Sequence, residues 1–382
     1  MQRKHYDQDQ VAFSDAVRTF IGKEILPHYL DWEAAGLAPR ELFTAAGANG
    51  FLGMQIPEQY GGGGVADFRF NQVLGEELAL AGVGGAGLGL TLHNDVCLPY
   101  FLRYCTEEQK QRWLPGIASG ELITAVAMTE PGAGSDLAGI RTSGRPDGTD
   151  LIVNGSKTFI TNGINADLVI TAVRTSPERH KGLSLVVLER GMPGFERGRN
   201  LDKLGLHSQD TAELSFTDVR VPRQNLLGEL GSGFLNLVSN LPQERMSLAV
   251  AGVASARAAL NWTIDYVRQR KAFGSPLGSL QNTRFVLAEI ATEVDVSQAY
   301  IDRCVLALNA DDLTAEDAAK AKWWATELQG RAVDRCLQLH GGYGYMQEYP
   351  IARAFADARV TRIYGGATEI MKEIIGRSLK LG

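Results

Sequence analysis

A chain of 382 residues that is 45% hydrophobic and 21% charged is long enough for two or three packed modules and too apolar to be disordered. Its 38 basic and 44 acidic side chains leave a net charge of −6, so no surplus cation is available to neutralise a phosphate backbone, and nucleic acid is a poor partner. Cys97, Cys105, Cys304 and Cys336 form no C-x-x-C pair and no histidine cluster joins them, which argues against a disulfide framework and a metal site and for a reducing compartment.

Met1 to Gln10 is polar and leads into an amphipathic stretch, and no apolar run approaches the 20 or so residues that span a bilayer. The expectation is a soluble protein, cytoplasmic, or of the mitochondrial matrix if this is a processed eukaryotic form. From Val11 to Leu114 apolar residues recur at helical spacing, as in Val17, Phe20-Ile21 and Ile25, with breaks at Pro57 and Gly61–Gly64. Within this stretch Gly82-Val83-Gly84-Gly85-Ala86-Gly87 fits G-x-G-x-x-G. That fingerprint needs a preceding strand, whereas Glu76–Leu80 reads as helix, so close helix packing or room for a ligand tail is the better reading.

Between about Ile123 and Leu227 the pattern changes to short β-branched runs: Leu151-Ile152-Val153 before Asn154-Gly155, Phe159-Ile160-Thr161 before Asn162-Gly163, then Leu168–Val173, Leu183–Leu188 and Ala212–Val221. Helical periodicity returns after Gly231 in the long stretches Ser247–Arg270, Gln281–Leu308 and Ala315–Leu339. Helices, then strands, then helices predict an α+β chain in three parts: a helical domain over residues 1–122, a β domain over 123–230 and a helical bundle over 231–382.

The segment Ala127-Met128-Thr129-Glu130-Pro131-Gly132-Ala133-Gly134-Ser135-Asp136 reads as a strand entering a Gly-rich turn, whose hydroxyl and N–H donors suit an electron-rich heteroaromatic ring or a phosphate. Downstream, Phe159 and Thr161 stand two apart on a strand and therefore share a face. Two further blocks are Arg270-Lys271-Ala272-Phe273-Gly274 with Gln281, and Gln338-Leu339-His340-Gly341-Gly342-Tyr343-Gly344-Tyr345.

These four ordered motifs resemble the acyl-CoA dehydrogenase family over essentially the whole chain. The resemblance implies a helical domain, a β-barrel or sandwich domain and a four-helix bundle, with FAD in a cleft between the last two and a homotetrameric assembly. Carried over position by position, it implies that Val126, Met128, Thr129, Ser135, Phe159 and Thr161 contact the flavin ring and its surroundings. Arg270, Phe273, Gln281, Gln338 and Gly342 would hold the dinucleotide tail, in this family from a neighbouring subunit.

One departure from the family pattern decides the chemistry. Most members carry the base as a glutamate directly after a tyrosine near the C-terminus, but here the segment reads Ile363-Tyr364-Gly365-Gly366-Ala367-Thr368-Glu369-Ile370. Gly365 has no side chain to accept a proton. The long-chain and isovaleryl branches keep their base on another helix, and Leu241-Pro242-Gln243-Glu244-Arg245 is similar to that segment, most closely in the long-chain branch. The base is therefore expected at Glu244, against the blander reading of an acid in the first turn after Pro242. Glu369 is the rival carboxylate and is read as a cofactor contact, while Arg245, Ser135, Tyr364 and Gly365 are expected to touch substrate. His93 and His340 default to packed residues.

The implied reaction converts an acyl-CoA thioester, medium or long or branched, to the trans-2-enoyl thioester, with flavin N5 as hydride acceptor and an electron-transfer flavoprotein as the next acceptor. An acyl-carrier-protein thioester fits the motifs equally. A flavin-dependent oxidase or monooxygenase on the same fold remains the alternative, whereas a nucleic-acid-associated member would need a basic surface.

Overall fold

Helix α1 (Gln8–Phe20) starts where Asp7 caps it, accepting from the Asp9 N–H while Gln10 reaches back to the Asp7 N–H. The computed structural model describes residues 3–381. Six more helices complete the first part: α2 (Tyr29–Ala35), α3 (Glu41–Ala48), α4 (Phe68–Leu80), α5 (Gly84–Thr91), α6 (Leu98–Tyr104) and α7 (Glu107–Ser119). The glycine run Gly82–Gly87 follows helix α4, as its flanks predicted. A Cβ on Gly85 would fall 2.2 Å from Ser208 Oγ, and one on Gly89 would fall 3.0 Å from Asn162 Oδ1. At these two positions the glycines permit close packing and leave no room for a ligand tail.

The strands are β1 (Thr124–Ala127), β2 (Ser143–Asp147), β3 (Asp150–Thr161), β4 (Leu168–Arg174), β5 (Leu183–Glu189), β6 (Phe195–Asn200), β7 (Thr211–Val221) and β8 (Leu226–Leu227). They form one sheet in the order β6-β7-β3-β2-β4-β5-β8, with β1 parallel to β4. Residues from most of these strands meet in one apolar cluster, including Ala127, Val153, Val169, Val186, Leu214 and Val219. Asn154-Gly155 was expected to end a strand as a hairpin turn. Instead the strand runs through it, and the ladder to β7 slips between Val153 and Gly155 as a β-bulge. A second slip lies between Lys157 and Ile160. Strands β2 and β6 went unpredicted, because Ser-Gly-Arg-Pro-Asp and Phe-Glu-Arg-Gly-Arg-Asn carry turn formers and charge in place of an alternating pattern.

The bundle consists of α8 (Gly233–Gln269), α9 (Gln281–Asn309) and α10 (Ala315–His340), followed by α11 (Pro350–Ala358) and α12 (Thr368–Ser378). Between α8 and α9 lies a small hairpin of β9 (Lys271–Ala272) and β10 (Ser275–Pro276). Helix α8 begins about four turns earlier than its periodicity suggested, so Pro242 lies inside it and Glu244 does not occupy a first turn. The helix-terminus account of Glu244 is thereby removed. Every part of the chain reaches α8: α4 places Gly75 against Val250, α6 donates from Arg103 to Asn240, and Gly233 packs on the Ser184 backbone of β5.

Gly155 holds φ at +147°, a region L residues rarely adopt, and a Cβ there would fall 2.8 Å from the Thr142 Cα. Substituting Gly155→Ala is expected to destabilise the protein by about 2 kcal/mol or more, read as a lowered midpoint in denaturant unfolding.

Candidate active site

Glu244 is 5% exposed on α8, and the Tyr100 hydroxyl of α6 donates to its Oε1 at 2.9 Å. Burial, opposed by the Tyr100 hydrogen bond and by the charge of Arg245, pushes the carboxyl up to about 7. One turn earlier Asn240 accepts from Arg103 through Oδ1 at 2.7 Å. Two buried donors beside Glu244, Asn240 Nδ2 and Arg245 Nε, have no hydrogen-bond partner among the described residues. Orphaned buried donors are rare in folded proteins and mark places where a ligand completes the bonding.

The turn that carries Gly365 lies against the same helix. Leu248 follows Glu244 by four residues and so shares its face, and a Cβ on Gly365 would fall 2.3 Å from Leu248 Cδ1. Arg245 Nη2 lies 3.9 Å from the Cβ position of Gly366. Both glycines hold positive φ, +62° and +98°. The buried ammonium of Lys322 donates to the Gly366 carbonyl at 2.7 Å and is lowered by burial to about 8. The structure thus brings Glu244, Arg245, Gly365 and Gly366 into one neighbourhood, with the space beside Gly365 filled by a leucine from the helix that carries Glu244; Tyr364 adjoins Gly365 in the chain, and its buried hydroxyl lies near the charge of Asp357. Glu369 stands exposed in the first turn of α12, where a helix N-terminus suits a carboxylate.

On the β side, Ala125 and Ala127 of β1 are buried while Val126 and Met128 turn to the other face. Val126 and Met128 pack on an apolar cluster that also holds Cys97, Leu98, Tyr100 and Leu237, which links this face to the surroundings of Glu244. Thr129 is fixed through its carbonyl, which accepts from the Thr158 N–H at 2.9 Å. Beneath it Lys157 is fully buried and donates to the Met128 carbonyl at 3.0 Å and to Glu130 Oε1 at 2.9 Å. Glu130 also accepts from the N–H groups of Arg141 and Thr142, so one ion pair ties the Gly-rich turn to β3. Phe159 sits in the second bulge at φ +60° with 67% of its surface exposed, beside the half-buried Thr161. Ser135 is exposed at the turn.

A benzyl ring displayed on a left-handed backbone is unfavourable on both counts. A planar aromatic ligand laid against Phe159, Val126 and Met128 would cover that surface, and the Thr129, Ser135 and Thr161 hydroxyls offer hydrogen bonds to its edge. The donor set therefore fits a flavin ring.

Five of the expected cofactor residues are not in this neighbourhood. Arg270 closes α8 26 residues beyond Glu244, on the order of 40 Å away along the helix at ~1.5 Å per residue. Its guanidinium lies 5.4 Å from the ring centre of Tyr343. Phe273 is 97% exposed at φ +53°, and Gln281, Gln338 and Gly342 are exposed as well.

Sequence reading missed Tyr100, Asn240, Lys322, the Lys157–Glu130 pair and a second buried acid, Asp95. Asp95 lies in the π-helical turn Leu92–Cys97, accepts from Asn71 at 2.6 Å and from Ser247, and is pushed by burial to about 7. No local signal marks these residues, since each partner lies far away in sequence. His93 is a packed residue: burial lowers it to about 4, and its ring bonds the Ile117 carbonyl and Thr124. His340 bonds the Cys336 carbonyl and stacks on Tyr266. Among the described residues no cluster could hold a metal ion, and no helix is long and apolar enough to cross a membrane.

Comparison with known proteins supports the same reading. The chain matches the acyl-CoA dehydrogenase N-terminal domain over residues 7–121, the middle domain over 125–219 and the C-terminal domain over 231–380. It is 46% identical to the mitochondrial long-chain specific acyl-CoA dehydrogenase of Sus scrofa, across 99% of this chain and 88% of that one. An acyl-CoA dehydrogenase structure from Geobacillus kaustophilus is 49% identical, with a TM-score of 0.97 over 100% of both chains. A glutaryl-CoA dehydrogenase from Mycobacterium smegmatis, solved in complex with FADH2, is 29% identical with a TM-score of 0.91, covering 98% of this chain and 95% of that one. The chain belongs to the acyl-CoA dehydrogenase family: it is an FAD-dependent oxidoreductase, an acyl-CoA dehydrogenase.

Proposed function

We propose that Glu244 is the base that removes the α proton of a medium, long or branched acyl-CoA, yielding the trans-2-enoyl thioester. The observation that carries this reading is a buried carboxylate on the helix face that fills the vacated Gly365 position. An α C–H is too weakly acidic for a carboxylate in water. Desolvation strengthens Glu244 as a base, and polarisation of the thioester oxygen acidifies the carbon. The Gly365 N–H donates to no acceptor among the described residues and is available for that oxygen. Lys322, by holding the Gly366 carbonyl, keeps the turn in place. Arg245 and Tyr364 line the substrate beside it.

Val126, Met128, Thr129, Ser135, Phe159, Thr161 and Glu369 would hold the flavin and its near surroundings, and the bound flavin supplies the acceptor for the β hydrogen and its electron pair. Arg270, Phe273, Gln281, Gln338 and Gly342 lie too far from Glu244 to complete the same site. Their exposure supports service to a neighbouring subunit's cofactor, within a homotetramer. An electron-transfer flavoprotein would then reoxidise the enzyme.

Glu244→Gln should keep the yellow holo-protein and slow anaerobic flavin bleaching by acyl-CoA by at least about a hundredfold. Bleaching at the parental rate would remove Glu244 from this role. Because the base must be ionised and its carboxyl sits near 7, turnover should fall as pH drops through about 7 and level off above it. A pH profile of kcat checks the sign. Phe273→Asp should release flavin during gel filtration with the chain still folded by circular dichroism. A panel of acyl-CoA and acyl-carrier thioesters then ranks the substrates.

A further inference from the structure

We propose that Tyr100 is a positioning residue for the base: its hydroxyl clamps one carboxylate oxygen of Glu244 so that the other is left to face the substrate carbon. The inference rests on the assignment of the base to Glu244. Tyr100 is fully buried on α6, and its hydroxyl donates to Oε1 at 2.9 Å, while Oε2 accepts from no donor among the described residues. A carboxylate is symmetric, so a single donor on one oxygen is what distinguishes the two and selects a side-chain rotation.

The clamp is itself held. Helix α6 is tied to α8 next to the site, by Arg103 on Asn240 at 2.7 Å and by the Tyr104 hydroxyl on Ser239 at 2.7 Å. Both bonds reach residues within five positions of Glu244 on its own helix. Tyr100 therefore cannot drift relative to the carboxylate without breaking them.

A hydroxyl is also the donor that suits the task. A lysine or arginine in its place would form a strong charged bond and weaken the base. Other ionisable groups surround Glu244 without bonding it. The Cys97 thiol of the π-helical turn is near enough to feel its charge, and Arg245, its neighbour on α8, acts on it through charge without a hydrogen bond to it among the described residues. Arg103 acts only through Asn240, and Lys322 lies behind Arg245 on the Gly366 carbonyl. Removing the Tyr100 hydroxyl thus removes the one hydrogen bond to the ionised form, and the proton affinity of Glu244 should rise.

The test compares FAD-loaded parental enzyme, Tyr100→Phe and Glu244→Gln by anaerobic flavin bleaching with an acyl-CoA across the pH range. Tyr100→Phe should move the acid limb up by about one pH unit, costing about tenfold in rate below the limb, and should also lower the high-pH plateau severalfold as the carboxylate loses its orientation, with KM within about twofold. Growing the parental enzyme on 3-fluorotyrosine, whose more acidic phenol donates more strongly, should move the limb the opposite way, and that shift should vanish in Tyr100→Phe. A limb that stays in place in Tyr100→Phe while Glu244→Gln is inactive overturns the role of Tyr100 and spares that of Glu244. Full bleaching by Glu244→Gln overturns both. A fluorotyrosine shift that persists in Tyr100→Phe assigns the effect to another tyrosine and overturns the proposal. If Tyr100→Phe fails to load FAD, the direction of the fluorotyrosine shift in the parental enzyme decides: downward supports the clamp, none removes it.

Discussion

The desolvation of one carboxylate governs the rest of this molecule. A glutamate in water is a poor base for a carbon acid, and one buried in apolar surroundings would simply take up a proton and stay neutral. Glu244 lies between these limits, removed from water yet given one hydrogen bond from Tyr100, so that its carboxyl sits near neutrality. Maintaining that balance needs groups from separate parts of the chain at fixed distances. The architecture is arranged so that one long helix meets all of them.

Helix α8 serves as that reference. The N-terminal domain presses α4 and α6 on it, the β domain abuts its first turn, and the C-terminal turn at Gly365 packs against Leu248. Because Leu248 and Glu244 share a face, the side chain that fills the vacated base position and the proposed base move as one rigid unit. The absence of a side chain at Gly365 and the occupation of its space by Leu248 are two aspects of the same packing. At the far end of the helix, Phe273 is displayed with almost no cover from its own chain.

The β domain contributes rigidity of a different kind. Two bulges in β3 interrupt the alternation of side chains, and the second presents Phe159 outward on a left-handed backbone. Such a conformation persists only where surrounding structure holds it. Here the buried Lys157–Glu130 pair, with Glu130 also accepting two backbone N–H groups, locks the Gly-rich turn to the strand two residues before Phe159. The pair's worth is geometric, because burying two charges brings little net stability.

Periodicity in the sequence was enough for the order of helices and strands, for the long bundle helices and for the failure of the glycine-rich decoy, since these depend on local patterns of apolar residues. Motif spacing was enough for the family and for singling out Glu244 once Gly365 was seen to lack a side chain. Tertiary structure alone decided where α8 begins, that Asn154-Gly155 is a bulge within a strand, and that the two groups of proposed cofactor residues stand far apart. It alone found Tyr100, Lys322 and Asp95. Burial and hydrogen bonding between residues as distant in sequence as Tyr100 and Glu244 are properties of chain packing, and no local pattern of residue types encodes them.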